Sequence, residues 1–230
     1  MSPATPASPA SPTTTGSGVH HRMDELSAAE AYKVLTSAVL PRPIAWVSTR
    51  SPDGIDNLAP FSFFTVASRQ PPMLFLSIGP DARPPVGQPP ATANPPAAEK
   101  DTLANIRATG EFVVNVVSED LLAKMIDSSA EVPAATGEFD LAGLDRAPCQ
   151  RVRPFRVAAA PLALECELRQ LYPLGTDVGV VGEVVGLHAA PGVFDDWFHV
   201  DVAAVRPVGR MPGPHYALGL TSFPDERRTP

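Results

Sequence analysis

The sequence predicts a mainly β protein with short helices, folded as a small closed barrel. Three observations support this class. At least six segments alternate or are apolar in the manner of strands, the segments with helical periodicity are short, and strands and helices do not follow a βαβ rhythm. With 230 residues, 44% of them hydrophobic and 19% charged, the chain can bury one core. We therefore expect one domain over residues 24–217, between an N-terminal tail over 1–23 and a C-terminal tail over 218–230.

The N-terminal segment has a composition that is typical of disorder. Residues 2–18 contain only Ser, Pro, Ala, Thr and Gly, which leaves almost no apolar surface to bury. Met23 is an alternative start of the protein. Beyond it, Ser27 is followed three residues later by Glu30. This pattern of a capping box predicts a helix over residues 28–37.

The first strands are predicted by their alternation. RPIAWVSTR, residues 42–50, alternates in the manner of a strand, and Asp53 with Gly54 is a hairpin turn signal. NLAPFSFF, residues 57–64, is then expected to be the returning strand. PPMLFLSIG, residues 71–79, is apolar on both faces, which predicts a central third strand. We expect these three strands to form an antiparallel meander.

The stretch NLAPFSFF also predicts how its side chains divide between two faces. Because side chains alternate along a strand, Phe61 and Phe63 are expected on one face and Ser62 and Phe64 on the other. This arrangement brings a hydroxyl group to an otherwise apolar surface. It raises the question of what that surface binds.

The middle of the chain combines a long loop with a helix and a strand. Residues 80–99 contain seven prolines and no hydrophobic period, which predicts a surface loop inserted between two elements. In KDTLANIRATG, which follows, either Asp101 or Thr102 is expected to cap a short helix that Gly110 ends. EFVVNVVS, residues 111–118, is predicted to be a strand.

The second half of the sequence is predicted to be rich in strands. A serine and two acids at the start of SEDLLAKMI predict a short helix over residues 119–126. Three strand-like segments come later, at residues 162–174, 177–189 and 198–209. The first two of these alternate over a long distance, which favours a hairpin of long strands.

The charge balance argues against a nucleic-acid-binding surface. The formal net charge is -7 at pH 7, whereas binding to a polyanion needs clustered Lys and Arg. A local basic site for a small phosphate stays open. The sequence has no run of about 18 apolar residues and no signal-peptide pattern at its start, so we expect a cytoplasmic protein with no membrane span.

The two cysteines, Cys149 and Cys166, do not predict a metal site. The sequence has no CxxC pair and places no histidine at ligand spacing to either cysteine. We expect two buried thiols in a reducing compartment in preference to a disulfide.

The familiar catalytic and nucleotide-binding motifs are missing from the sequence. It contains no GxSxG elbow, no dinucleotide fingerprint and no P-loop. His188, His199 and His215 are scattered, and none has a nucleophile as an obvious sequence partner. Solvated or core positions are the expected roles of these histidines.

One group of residues predicts an anion site. Lys100 and Thr102 open the predicted helix, where a positive charge, a hydroxyl group and free backbone N–H groups can converge on a phosphate. The alternative is an ordinary helix cap beside a solvated lysine. Further donors are expected nearby on the first two strands: Ser48, Thr49, Asn57 and Ser62. Together they favour a pocket of the size of a nucleotide.

Three blocks of the sequence resemble the flavin reductase-like family, which includes flavoredoxin-like flavoproteins. The blocks are PRPIAWVSTRSPDGIDNLAPFSFFTVAS, PPMLFLSIG and KDTLANIRATGEFVVNVVS, in this order. The resemblance extends from about residue 24 to residue 216. It implies an FMN-binding split β-barrel, a homodimer and a bound FMN.

The resemblance also implies roles for individual residues. It assigns contacts with the flavin and its ribityl chain to the segments that contain Ser48, Thr49, Asn57, Leu58, Ala59 and Ser62. Lys100 and Thr102 lie in an element that looks like the phosphate clamp of the family, with Asp101 as the helix cap. Arg83 is expected to add a second cation. His215 and Tyr216 are candidates for substrate contacts, with a structural role equally open.

The sequence departs from the family pattern at two places. The proline-rich insertion between Arg83 and Lys100 is longer than the turn usual in the family, which puts the role of Arg83 in doubt. The segment GRMPGPHYA only partly matches the glycine-rich ending of the family.

The resemblance implies three alternative functions. The first is an NAD(P)H-dependent flavin reductase that transfers hydride to flavin N5 and passes electrons to free flavin, to a monooxygenase or to another acceptor protein. The second is an FMN electron carrier that resembles flavoredoxin. The third is a non-enzymatic FMN-binding protein whose proline-rich segments recruit a partner.

Overall fold

The computed structural model describes residues 14–15, 18–80, 99–129 and 137–221. Arg83 and most of the proline-rich insertion lie outside these residues. The chain divides into two compact units, Met1–Leu40 and Pro41–Pro230.

The helices are short and the strands numerous. The α-helices are α1 (Ala28–Ala38), α2 (Asp101–Thr109), α3 (Leu122–Asp127), α4 (Glu138–Leu141) and α5 (Val202–Val205). The strands are β1 (Thr14–Thr15), β2 (Gly18–Val19), β3 (Arg42–Pro43), β4 (Ala45–Arg50), β5 (Asp56–Phe61), β6 (Phe64–Arg69), β7 (Pro72–Ile78), β8 (Glu111–Val116), β9 (Arg146–Ala147), β10 (Arg156–Val157), β11 (Leu162–Leu174), β12 (Asp177–Ala189), β13 (Gly209–Arg210) and β14 (Tyr216–Ala217).

The first unit contains the predicted capping box. Ser27 Oγ accepts a hydrogen bond from Glu30 N at 3.3 Å, and Glu30 Oε2 accepts one from Ser27 N at 2.9 Å. The box opens α1, which confirms the predicted helix and extends it by one residue, to Ala38. Within the segment predicted to be a tail, β1 pairs with β2, a short pairing that the composition did not predict.

The second unit is built on a seven-stranded antiparallel sheet with the order β5-β4-β8-β11-β12-β7-β6. In a flat sheet the two edge strands, β5 and β6, would lie roughly 29 Å apart, at about 4.8 Å per strand. Only Ser62 and Phe63 join them, and such a link spans about 10 Å. The sheet therefore curls until its edges meet, which confirms the predicted barrel.

The prediction that residues 57–64 form one strand was wrong. The chain leaves the sheet at Ser62 and Phe63 and enters a new strand at Phe64, because it passes from one edge of the sheet to the other. As a result Phe61 and Phe64 pack against the same barrel cluster, whereas Phe63 is 38% exposed. The predicted division of these side chains between two faces therefore does not hold.

The predicted three-stranded meander was also wrong. Strand β7 is an interior strand, as expected, but it pairs with β6 and β12. Strand β6 was not predicted from the sequence. Most of its residues are exposed, Val66 by 70%, so the strand lacks a clear apolar face.

The prediction of a strand at residues 198–209 was wrong, because this segment contains the helix α5. The Asp201 side chain accepts a hydrogen bond from Ala203 N at 2.8 Å and so caps α5. By contrast, the long strands β11 and β12 and the helical turn before α3 agree with prediction.

Two apolar clusters lie on opposite faces of β4. Val47 belongs to the cluster that also holds Phe112 and Leu103, the latter from α2. Trp46 belongs to the other cluster, together with Phe139 from α4. Burial of each such large side chain contributes about 1.5–3 kcal/mol, so both helices are fixed against the sheet.

Both cysteines are free thiols, as predicted; Cys166 is buried and Cys149 only partly so. In the described part of the chain, no helix is long and apolar enough to cross a membrane.

Candidate functional site

The N-terminus of α2 lies beside the β4–β5 hairpin. Its N-cap residue is Lys100, and Gly110 ends the helix in the left-handed conformation with φ 71°. The prediction that Asp101 or Thr102 is the cap was wrong, because both residues lie inside the first turn. Since the Lys100 side chain makes no capping hydrogen bond, the first turn depends on other groups for its position.

Those groups are a buried network of hydroxyls and amides. Asn57 Nδ2 donates to Thr102 Oγ1 at 2.8 Å and to Thr49 Oγ1 at 3.3 Å, and Asn105 Nδ2 donates to Thr49 Oγ1 at 3.1 Å. All four side chains are buried. The network thus joins β4, β5 and α2 and fixes where the helix begins. Sequence reasoning missed Asn105, although it follows Thr102 by one helical turn.

Ser48 lies on the opposite face of β4 from Thr49. Its hydroxyl donates to the Phe155 carbonyl oxygen at 2.6 Å and accepts from Asn115 Nδ2 at 3.2 Å. Asn115 Oδ1 also accepts from Val157 N at 2.9 Å. Ser48 therefore fixes the segment around β10 to the sheet. Asn115 was missed, and its only sequence signal is a polar residue inside the apolar run VVNVV.

Leu58 is engaged inside the protein through both its side chain and its backbone. The side chain is fully buried, and the backbone N–H donates to Glu138 Oε2 at 3.1 Å. The carboxylate of α4 thereby covers part of the open edge of β5. Ala59, the next residue, is partly buried against the barrel cluster.

Ser62 lies at the closure of the barrel and contacts a buried arginine. Ser62 Oγ accepts from Arg42 Nε at 3.4 Å, and an Arg42 amino group lies 3.5 Å from the Met211 carbonyl oxygen. Arg42 is only 6% exposed. It therefore connects the barrel closure to the β13–β14 hairpin, a role that sequence reasoning did not assign.

The two C-terminal candidates occupy that hairpin. His215 is exposed, whereas Tyr216 packs against the cluster that contains Trp46. The Arg210 guanidinium carbon lies 4.7 Å from the centre of the Tyr216 ring, a cation–π contact. The contacts of Tyr216 are thus structural, and His215 is the more exposed of the two residues.

The start of α2 combines the Lys100 side chain, the Asp101 carboxylate in the first turn and the partial positive charge of the helix N-terminus. Among the described residues, Lys100 has no ion-pair partner, and its side chain stands where the helix N-terminus carries a partial positive charge. An N-terminal turn and a lysine are suited to a phosphate group.

Two open cavities lie elsewhere. One, of about 300 Å³, is lined by Arg50, Glu111 and Arg153, with Arg50 stacked over Phe155 at 5.1 Å. The other, of about 580 Å³, is lined by Phe194 and its neighbours. Neither has Lys100 or Thr102 in its lining.

The fold places this chain in the split-barrel class of proteins. It superimposes on component B of nitrilotriacetate monooxygenase from Bacillus cereus with a TM-score of 0.81 and 26% identity, covering 91% of this chain and 100% of that one. It superimposes on the 2-nitrobenzoate 2-nitroreductase of Pseudomonas fluorescens with a TM-score of 0.76 and 27% identity, covering 92% and 98% of the two chains.

Comparison with models of protein families identifies one family within the split-barrel class. The model of the flavin reductase like domain matches residues 37–204, so the chain belongs to the flavin reductase like domain family. An uncharacterised protein of Halalkalibacterium halodurans is 37% identical over 212 residues, which cover 90% of this chain and 95% of that relative. The family resemblance predicted from the three sequence blocks is confirmed.

Proposed function

We propose that this chain is an FMN-binding oxidoreductase that acts as an NAD(P)H-dependent flavin reductase. The observation that carries the proposal is the helix N-terminus of α2, with Lys100 as its N-cap. The Asn57–Thr102 hydrogen bond ties it to β5, and the Asn105–Thr49 hydrogen bond ties it to β4. In a member of the flavin reductase like domain family, this arrangement suits the phosphate of FMN.

The phosphate-binding groups of this proposal are Lys100 and the backbone N–H groups of the first turn of α2. A lysine ammonium group adds a charge-assisted hydrogen bond, and the N–H groups at the very start of a helix have no acceptor within the helix. Leu103 N–H is not one of them, because it donates to the Lys100 carbonyl oxygen at 2.9 Å. Thr102 has one hydroxyl proton left to donate, since Asn57 occupies an acceptor position of its oxygen. Thr49, Asn57 and Asn105 act by holding the turn in place.

In this proposal, the flavin ring binds beside the segment from Ala59 to Ser62, where the barrel closes. There the backbone and the Ser62 hydroxyl, held by Arg42, border the flavin. Ser48 and Leu58 are left out as direct contacts, because their polar groups already bond inside the protein. Exposed His215, on the hairpin that Arg42 contacts, is the candidate for substrate contact, and Arg83 stays a candidate for a second cation.

FMN, when bound, supplies hydride acceptance at N5 and electron transfer to a further acceptor. The share of the protein is to position the two ring systems and to stabilise charge with fixed donors, which requires no dedicated acid or base. The similarity to a monooxygenase component supports a partner oxygenase or free flavin as the acceptor. We also propose that the protein is cytoplasmic and forms a homodimer. Light scattering checks the dimer against the 24.3 kDa mass of one chain.

The experiment that tests the proposal is an anaerobic titration. The purified protein is loaded with FMN, its absorbance spectrum is recorded, and NADH and NADPH are added in separate samples. We expect a bound flavin that one nucleotide bleaches, and steady nucleotide consumption when free flavin is supplied in excess. Failure to bind FMN contradicts the cofactor. A bound flavin that neither nucleotide reduces contradicts the reductase and favours an electron carrier.

A further inference from the structure

Three potential metal ligands converge on a site that the sequence did not predict. Cys149 lies in the loop between β9 and β10, Glu165 on β11 and His188 on the adjacent strand β12. The sulfur, a carboxylate oxygen and an imidazole nitrogen all lie within 4.8 Å of one another. The site uses none of the groups assigned to the flavin.

The strand geometry holds two of these ligands rigidly. His188 is opposite Ala163, and Glu165 is opposite Gly186, with a register shift directly after this pair. A Cβ atom on Gly186 would lie 2.9 Å from Glu165 Cδ. The absence of a side chain at Gly186 therefore lets the carboxylate lie against β12 and reach the imidazole.

The Glu165 carboxylate is held by a cradle of backbone N–H groups. Its Oε2 accepts from the N–H groups of Gln150, Arg151 and Val152 at 3.1, 2.6 and 3.1 Å. Burial alone would raise the pKa of Glu165, but these bonds and the His188 contact lower the pKa overall, so the group is anionic. Oε1 is the oxygen that faces His188 Nε2, at 2.6 Å. Oε1 also accepts from the Gln150 N–H group at 3.1 Å, so the cradle holds both oxygens and Oε1 is the one turned towards the cluster.

Cys149 stands in an electrostatically unfavourable position for a thiolate. Burial and the negative charge of Glu165 raise the pKa of its thiol to about 12. A divalent cation would reverse this effect, since it stabilises the thiolate and the carboxylate together.

We propose that Cys149, Glu165 Oε1 and His188 Nε2 bind one divalent transition metal ion, with Zn²⁺ as the best match. A thiolate, an imidazole and a carboxylate are the ligands that Zn²⁺ prefers, and three protein ligands leave a fourth position for water. Bonds of about 2.0–2.3 Å in a tetrahedron separate the ligand atoms by roughly 3.3–3.7 Å. The His188–Glu165 contact therefore lengthens by about 1 Å on binding, while the backbone cradle keeps the carboxylate oriented.

The binding step balances as an exchange of a proton for the metal. The Cys149 S–H bond breaks, its proton passes to solvent, and the sulfur–metal bond forms. No electrons are transferred. The bound ion would tie the loop that precedes β10 to the β11–β12 hairpin.

The test is a Zn²⁺ titration of the full chain after chelator treatment and removal of the chelator. We expect one Zn²⁺ per chain by calorimetry, and an affinity at least 10-fold lower in both Cys149→Ala and His188→Gln. His199→Gln is the matched control, because His199 also pairs with a carboxylate, that of Asp195 at 3.1 Å, but lies outside the cluster. Its affinity should equal that of the parent protein.

A Co²⁺ titration gives a second measurement, which reports on the Cys149 thiolate and does not use a variant of His188. We expect a thiolate-to-cobalt charge-transfer band that disappears in Cys149→Ala, with ligand-field bands beyond the flavin absorption. No saturable binding, or Zn²⁺ affinity unchanged in Cys149→Ala, overturns the proposal.

Discussion

Asn57 Nδ2 and Thr102 Oγ1 lie 2.8 Å apart and form a buried hydrogen bond between strand β5 and the first turn of α2. The same amide also reaches Thr49 on β4. One side chain therefore sets the position of a helix N-terminus relative to two strands of the barrel. The proposed phosphate site depends on this bond more than on any helix cap.

Removal of this bond should destabilise the protein and weaken FMN binding. We expect Thr102→Val to lower the free energy of unfolding by about 1–3 kcal/mol, because the Asn57 amide stays buried without this acceptor. Urea unfolding of the apoprotein and a separate flavin titration measure the two effects. Thr65→Val, on an exposed position of β6, is the control and should change stability by about 0.5 kcal/mol or less. Equal stability of the two variants would contradict the role of the network.

Lys100→Ala should weaken FMN binding with little change in stability. If the ammonium group contacts the phosphate, its loss costs about 1–3 kcal/mol of binding, roughly a 5- to 150-fold rise in Kd. The Lys100 side chain does not cap α2, so the melting temperature should hold. Lys33→Ala, on the exposed surface of α1, is the matched control. An unchanged Kd would remove Lys100 from the proposed site.

The pH dependence of stability should carry a contribution from Glu165. Its pKa in the folded protein is below the ordinary value of 4.5, so its stabilising effect is present above that value and is lost as the pH falls through the lowered pKa. Glu165→Gln should therefore be less stable than the parent at neutral pH, and the difference should shrink in acid. Urea unfolding with chelator present, at a series of pH values, measures it. If the stability difference between Glu165→Gln and the parent stays constant with pH, the Glu165 carboxylate is not held as an anion by the backbone cradle.

Gly182→Ala should destabilise the barrel through overpacking. An added Cβ would lie 2.7 Å from Phe112 Cε1 inside the barrel, which predicts a loss of about 1–3 kcal/mol. Gly137→Ala is the control, since its Cβ would meet its nearest atoms at 3.5 Å. Phe112→Leu should partly restore the stability of the Gly182→Ala variant if the clash is the cause. Thermal unfolding of the parent protein, Gly182→Ala, Gly137→Ala and the double variant Gly182→Ala/Phe112→Leu tests this.

Among the individual turns and caps, those predicted correctly from the sequence are set by neighbours along the chain. The capping box of Ser27 and Glu30 spans one helical turn, and the hairpin after β4 follows a local turn signal. The division of residues 57–64 between two strands has no local signal, because it arises from the closure of the whole sheet.

The candidate site was predicted only in part for the same reason. The start of α2 was identified, but its N-cap was not, because Asn57 holds Thr102 from 45 residues away. Arg42 and Asn115 are polar residues inside strands, and their partners lie far along the chain. Glu165 and His188, 23 residues apart, meet only because β11 and β12 pair.

The strand order of the barrel has a consequence for how the chain folds. Three strand pairs, β4–β5, β6–β7 and β11–β12, are hairpins of consecutive strands. By contrast, β8 pairs with β4 and β11, and β12 with β7, across long stretches of chain. Hairpins can form early, because their loops are short and cost little entropy to close. The slow step would then be the assembly of preformed hairpins around β8. Because the hairpins form before this step, substitutions that destabilise a hairpin or the docking of β8 should mainly slow refolding and change the unfolding rate little.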